Sequence, residues 1–133
     1  MFTAVPQTRC RAIIAEDDAL VRHTLRQIAE TRCEVIAEAE NGQVAVELVE
    51  ALNPDVVLLD ISMPVLNGFE AARRIRNQLP HISIVIVSSH SDAAYVEQAF
   101  RTGVQGYVVK GSAAVQLLEA IEDVTNGRTF RPA

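Results

Sequence analysis

The sequence has no tryptophan, two tyrosines and only two cysteines. Cys10 and Cys33 form no CxxC pair and stand at no metal-ligand spacing. Two thiols in 133 residues make no disulfide scaffold, and they read as reduced thiols of a cytoplasmic protein, with Cys33 packed inside. His23, His81 and His90 also share no metal-ligand spacing and read as surface or helix-face residues. No apolar run approaches the roughly 20 residues that span a bilayer. The start, MFTAVPQTRCR, lacks a long apolar block behind a basic cluster, so it is not a secretion signal. Basic charge is short as well: 12 Lys and Arg face 17 Asp and Glu, a net charge of −5. That balance sets up no field for nucleic-acid phosphates or an anionic membrane. Repeats, low-complexity tracts and interdomain linkers are absent too.

What is present is a core-forming composition, 49% hydrophobic and 22% charged, which suits one folded domain. Strand-like and helix-like signals alternate five times. RAIIA (11–15), EVIAEAE (34–40), DVVLLD (55–60), ISIVIV (82–87) and VQGYVV (104–109) read as strands. Between them lie helical stripes. The first is Leu20, Thr24, Leu25, Ile28 and Ala29; the second is Val44, Ala45, Leu48, Val49 and Leu52. Asn67 opens a third helix, Ser91 or Asp92 a fourth, and Ser112 a fifth that carries Leu117, Leu118, Ile121 and Val124 inward. Asn53-Pro54, Leu79-Pro80, Gly103 and Asn126-Gly127 supply the stops. Such alternation predicts right-handed βαβ crossovers and a flavodoxin-like, five-stranded, doubly wound parallel sheet in the order 2-1-3-4-5, with five helices. The domain is expected over 10–127, with loosely held tails at 1–9 and 128–133.

In such a sheet, ligands sit outside the carboxyl ends of the strands, where the winding reverses between strands 1 and 3. Strand 1 delivers Glu16, Asp17 and Asp18 to that edge. Strand 3 delivers Asp60, strand 4 Ser88 and Ser89, and strand 5 Lys110. Converging carboxylates cannot all stay ionised without a cation, and hard oxygen ligands suit Mg²⁺. A carboxylate can also act as a nucleophile and become an aspartyl phosphate. Lys110 and the Ser88 hydroxyl are placed to meet its phosphoryl oxygens. Asp18 is the better candidate to cap the first helix, which leaves Glu16 and Asp17 for metal.

AEDDALVR, PDVVLLDISMPVLNG, IVIVSSHSD and GVQGYVVKG, in this order and spacing, resemble the signature blocks of response-regulator receiver domains over about residues 10–127. The segments CEVIAEAENG and EAIEDVTNGRTF resemble receivers of the NarL/FixJ type, which normally precede a helix-turn-helix domain; these 133 residues read either as a stand-alone receiver or as the receiver piece of a longer protein. The resemblance implies that Asp60 accepts a phosphoryl group from a histidine kinase or phosphotransfer protein. It also implies that Glu16, Asp17, Asp60 and the main-chain carbonyl of Ser62 hold Mg²⁺. It further makes Ser88 and Tyr107 a switch pair and Lys110 a phosphate contact. Ser62 and His90 take positions that influence how fast the acyl phosphate is hydrolysed. The surface of helix 4, strand 5 and helix 5 is expected to change shape for a partner or output domain, and a homodimer is possible. The acidic pair is Glu-Asp rather than Asp-Asp, and Gly111 stands where many members have proline.

Three other readings compete. A flavodoxin-like cofactor binder needs a Ser/Thr/Gly-rich phosphate loop after strand 1, where this chain has EDD. A pseudo-receiver that only binds proteins keeps the fold and loses the acidic pocket. An aspartate-nucleophile phosphatase needs a second Asp two residues after the first, where this chain has Ser62.

Overall fold

Aliphatic runs and amphipathic stretches each become one element of an alternating α/β chain in the computed structural model, which describes residues 9–132. The elements are β1 (Cys10–Ala15), α1 (Ala19–Ala29), β2 (Cys33–Ala39), α2 (Gly42–Leu52), β3 (Val56–Leu59), α3 (Gly68–Gln78), β4 (Ser83–Ser88), α4 (Ala93–Arg101), β5 (Gly106–Val109), a 3-10 turn (Lys110–Ser112) and α5 (Ala113–Thr125). The five strands form one sheet in the order β2-β1-β3-β4-β5, every neighbouring pair parallel. Both the strand order and the five helices match the expectation from sequence.

Strand periodicity sorts the core into two layers. Ile13, Ala15, Val57, Leu59, Ile84 and Ile86 point to one face and meet Val49 of α2, Ile75 of α3 and Val96 of α4. Ala12, Ile14, Val56, Leu58, Val85 and Val87 point to the other face and meet Leu25 of α1 and Leu117 and Ile121 of α5. All of β3 is buried, which is why it lacks polar alternation: both its faces are covered.

Asx caps begin three helices. Asp18 Oδ1 accepts from Leu20 N and Val21 N, Asn41 Oδ1 from Val44 N, and Asn67 Oδ1 from Glu70 N. Each satisfies amide donors that would otherwise lack partners, by about 1 kcal/mol. Asn53 ends α2 in the left-handed region at φ 48°, and Pro54 prevents continuation.

Three expectations need correction. Leu20 and Thr24 are exposed, Leu20 at 75%, so the inward face of α1 is set by Leu25 and Ala29. Ser112 makes no side-chain cap bond, because it belongs to the 3-10 turn that leads into α5. Asp92 stands at the cap of α4, and there its carbonyl rather than its side chain accepts from Tyr95 N and Val96 N. The segment after α5 also departs from a loose tail. Phe130 is buried, its N–H donates to Gln105 O at 2.9 Å, and its carbonyl accepts from Tyr107 N at 3.0 Å. Arg131 lies 3.9 Å over the Phe100 ring of α4. Hydrophobic burial and two backbone bonds therefore hold residues 128–132 along β5. The expected N-terminal tail lies outside the described residues except for Arg9, whose guanidinium donates to Cys33 O at 2.9 Å.

Candidate functional site

The register of three strands builds the site. Ala12–Ala15 pair with Val56–Leu59, and Val56–Leu59 pair with Ser83–Ile86, so β1 and β3 end level. The ladder runs one step further: Asp60 N donates to Ala15 O at 3.0 Å, and Glu16 N donates to Ala39 O at 3.0 Å. Glu16 and Asp60 thus leave neighbouring strands side by side. Carboxylate oxygens of Glu16, Asp17 and Asp60 all lie within 4.8 Å of one another. Glu16 and Asp60 are buried, at 1% and 6% exposure, while Asp17 is exposed.

One ammonium serves this cluster. Lys110 Nζ lies 2.5 Å from Glu16 Oε1 and 3.2 Å from Asp60 Oδ2. Apart from that ion pair, Glu16 Oε1 is buried without a hydrogen bond. Burial pushes the Glu16 carboxyl above its usual range; the Asp60 charge adds to this, and the Lys110 contact opposes it. Burial alone would lower the Lys110 value, but Glu16 and Asp60 outweigh it and the net shift is upward. The cluster is therefore short of positive charge. Three hard oxygen donors, one of them a buried oxygen lacking a hydrogen bond, fit a divalent cation such as Mg²⁺.

The loop after Asp60 is built to come close. Gly68 N donates to Ile61 O at 2.8 Å, and a Cβ on Gly68 would sit 2.1 Å from the Asp60 carbonyl oxygen. Only glycine lets the start of α3 pack this near the acidic strand end. Between them, Leu66 N donates to Pro64 O across Val65, which takes φ 69°. A β-branched residue there is strained, a feature that often accompanies functional loops. Ser62 lies in the same loop and is exposed.

Ser88 is fully buried at the end of β4, and its Oγ accepts from His90 N at 3.0 Å. Tyr107 on β5 is also fully buried; its hydroxyl donates to His90 O at 2.6 Å. Its phenol is pushed upward, mainly by burial. The ring is therefore enclosed, with its hydroxyl tied to the His90 carbonyl. The His90 imidazole stacks on Tyr95 with centroids 4.0 Å apart at 4°. The sequence-derived candidates Glu16, Asp17, Asp60 and Lys110 thus meet in one cluster. Ser88, His90 and Tyr107 form a second, hydrogen-bonded group on the adjacent strands.

Sequence reasoning missed Gly68 and Tyr95. A glycine directly after the cap Asn67 was a usable signal for the first; Tyr95 carried none, since its stacking depends on tertiary contact. Asp18 is the α1 cap, as expected.

The family model for the response regulator receiver domain matches residues 12–122. The chain belongs to that family. It is 38% identical to the transcriptional regulatory protein DegU of Brevibacillus brevis over 132 residues, covering 98% of this chain and 56% of DegU. It is 34% identical to the chemotaxis protein CheY of Thermotoga maritima, covering 86% of this chain and 97% of CheY. Among solved structures, a LuxR-family two-component response regulator from Aurantimonas sp. SI85-9A1 superposes with a TM-score of 0.88 at 34% identity, over 92% of this chain and 89% of that one. The signal receiver domain of the putative response regulator NarL from Mycobacterium tuberculosis superposes with a TM-score of 0.87 at 30% identity, over 92% of this chain and all of that one. The chain spans little more than half the length of the transcriptional regulators it matches. Among the described residues no helix is long and apolar enough to cross a membrane.

Proposed function

We propose that Asp60 is the phosphoacceptor of a Mg²⁺-dependent cytoplasmic signalling switch. The observation that carries this reading is the cluster of Glu16, Asp17 and Asp60, with the Lys110 ammonium against Glu16 and Asp60. The donor is a phosphohistidine on a partner kinase or phosphotransfer protein. One Asp60 oxygen attacks phosphorus, the N–P bond breaks, and the imidazole leaves. Mg²⁺, when held by Glu16, Asp17, Asp60 and the Ser62 carbonyl, neutralises charge that would otherwise repel the incoming group. Lys110 moves from the carboxylate pair to the phosphoryl oxygens, and Ser88 Oγ donates to another of them. The domain aids its own phosphorylation and dephosphorylation and is not an enzyme in the usual sense.

The Ser88 bond couples this event to Tyr107 through His90, because His90 N is held by Ser88 and His90 O by Tyr107. A charge-assisted hydrogen bond contributes roughly 1.5–3 kcal/mol, which shifts a two-state equilibrium by about tenfold to a hundredfold. The surface of α4, β5 and α5 then changes for a partner, a second copy or an output domain. Direct nucleic-acid binding is not assigned to this segment.

Incubation with acetyl phosphate and Mg²⁺ tests the assignment. A mass gain of one phosphoryl group is expected, lost on addition of EDTA and in Asp60→Asn. No gain, or a gain that persists in Asp60→Asn, would leave the chain as a binding module or move the acceptor elsewhere. Ser62→Asn and His90→Glu are expected to alter the decay rate of the acyl phosphate; unchanged decay in both removes the role of those positions.

A further inference from the structure

The two cysteines, separate in sequence, are register partners on adjacent parallel strands. Cys10 of β1 pairs with Cys33 of β2 at the amino ends of both strands, away from the acidic cluster. Both side chains face the same layer, where Cys10 packs against the cluster that contains Cys33. Neighbouring strands run about 4.8 Å apart, inside the Cα separation of roughly 4.4–6.8 Å that a disulfide spans. Both residues are free thiols, Cys10 half-buried and Cys33 buried.

The surroundings favour chemistry over inert packing. Both cysteines line a cavity of about 450 Å³ whose wall includes Arg32, Ile121 and Asn126, and Arg32 and Asn126 are exposed. Small solutes therefore have a route to the pair. Cys33 is pulled below the usual thiol value, chiefly by the neighbouring Cys10 and, more weakly, by Arg9 and Arg32, against the effect of burial. Cys10 is pushed up, first by the neighbouring Cys33 and then by burial. Paired thiols that favour a thiolate on one sulfur and a proton on the other suit an attacking and a resolving cysteine, and the strand register sets them side by side.

We propose that Cys10 and Cys33 form a reversible intramolecular disulfide on exposure to a peroxide, a second input at the amino rim of the sheet. The Cys33 thiolate attacks a peroxide oxygen, the O–O bond breaks, and Cys33 becomes a sulfenic acid as hydroxide leaves. The Cys10 thiol then attacks Cys33 sulfur, the S–O bond breaks, and water departs. Two thiols and one hydrogen peroxide give one disulfide and two waters; the sulfurs lose two electrons and the peroxide gains them. The new bond pins the start of β1 to the start of β2.

The reduced chain, treated with hydrogen peroxide and then denatured with an alkylating reagent, reads this directly. Wild type is expected to lose uptake of both alkyl groups, to fall in mass by two hydrogens, to stay monomeric on a non-reducing gel, and to recover both thiols with dithiothreitol. Its oxidised form is expected to melt at a higher temperature than the reduced form. In Cys10→Ser, a half-buried and conservative change, Cys33 is expected to retain one oxygen that dimedone traps. The proposal is overturned if wild type still takes up two alkyl groups after peroxide, if the link joins two chains, or if Cys33 in Cys10→Ser stays unmodified. The wild-type measurement stands alone should that variant fail to fold.

Discussion

At the amino rim of the sheet, Asp55 Oδ2 accepts from Arg11 N at 2.8 Å, and the Arg11 guanidinium donates to the Leu52 and Asn53 carbonyls at 3.0 Å. His81 Nε2 lies 2.7 Å from Asn53 Oδ1, and Gln105 Oε1 accepts from Ile84 N at 2.7 Å. At the carboxyl rim, Glu16 and Asp60 share the Lys110 ammonium, Asp17 lies beside them, and Glu16 Oε1 has no partner apart from that ammonium. Both rims carry polar groups at the ends of the same five strands. One rim spends them on fastening loops to strand ends; the other leaves its bonding capacity open. Buried polar groups are ordinarily satisfied within a fold, so a rim that keeps three carboxylates together has the donor set a divalent cation needs.

Lys110→Met is the severest test of that contrast. It leaves Glu16 and Asp60 buried without their cation, and a loss of roughly 3 kcal/mol is expected from chemical denaturation in EDTA. Added Mg²⁺ should restore most of it. Rescue of an amino-rim variant by Mg²⁺ to the same extent would break the comparison.

A smaller effect distinguishes the rims by pH. Native Glu16 keeps its proton at a pH where the unfolded carboxyl has already lost it, because its folded value is raised above 4.5. The native state then binds more protons, so this residue's contribution to stability falls as pH rises from about 4.5 through the raised value. Mg²⁺ binding should strengthen over that same window as the proton leaves. Lys110 acts far above it: its contribution is held below the ordinary lysine value of 10.5 and lost as pH rises through the raised one. Melting curves with and without Mg²⁺ should diverge with rising pH in wild type and run parallel in Glu16→Gln. Divergence that persists in Glu16→Gln would assign the effect to another group.

The smallest change is expected from Asp55→Ala. It removes a hydrogen bond at a solvent-exposed strand start and should lower stability by about 1 kcal/mol, with no dependence on Mg²⁺. A Mg²⁺-dependent loss there would mean the amino rim also holds metal.

The carboxyl rim was legible in the sequence because Glu16, Asp60 and Lys110 each end an apolar run. Val56–Leu59 halt at Asp60 and Ala12–Ala15 at Glu16, and parallel register then fixes their proximity. The Cys10–Cys33 pairing was not legible. Spacing rules search for neighbours along the chain, while these thiols meet only through the β1–β2 register across an intervening helix. Leu20 was misassigned because helical periodicity gives a stripe but not its width. The role of Phe130 was hidden for a similar reason: a short polar ending with one aromatic carries no strand signal, and only the exposed side of β5 gives it a place to dock.

That last contact bears on how the domain is cut for expression. Phe130 bonds to Gln105 and Tyr107 like a stub of a sixth strand, with Arg131 laid across Phe100. A boundary drawn at Gly127 would strip the cover from β5 and offer its bare amide and carbonyl row to any neighbouring chain, an invitation to sticking and precipitation. Keeping five more residues costs nothing in size and keeps that flank shut.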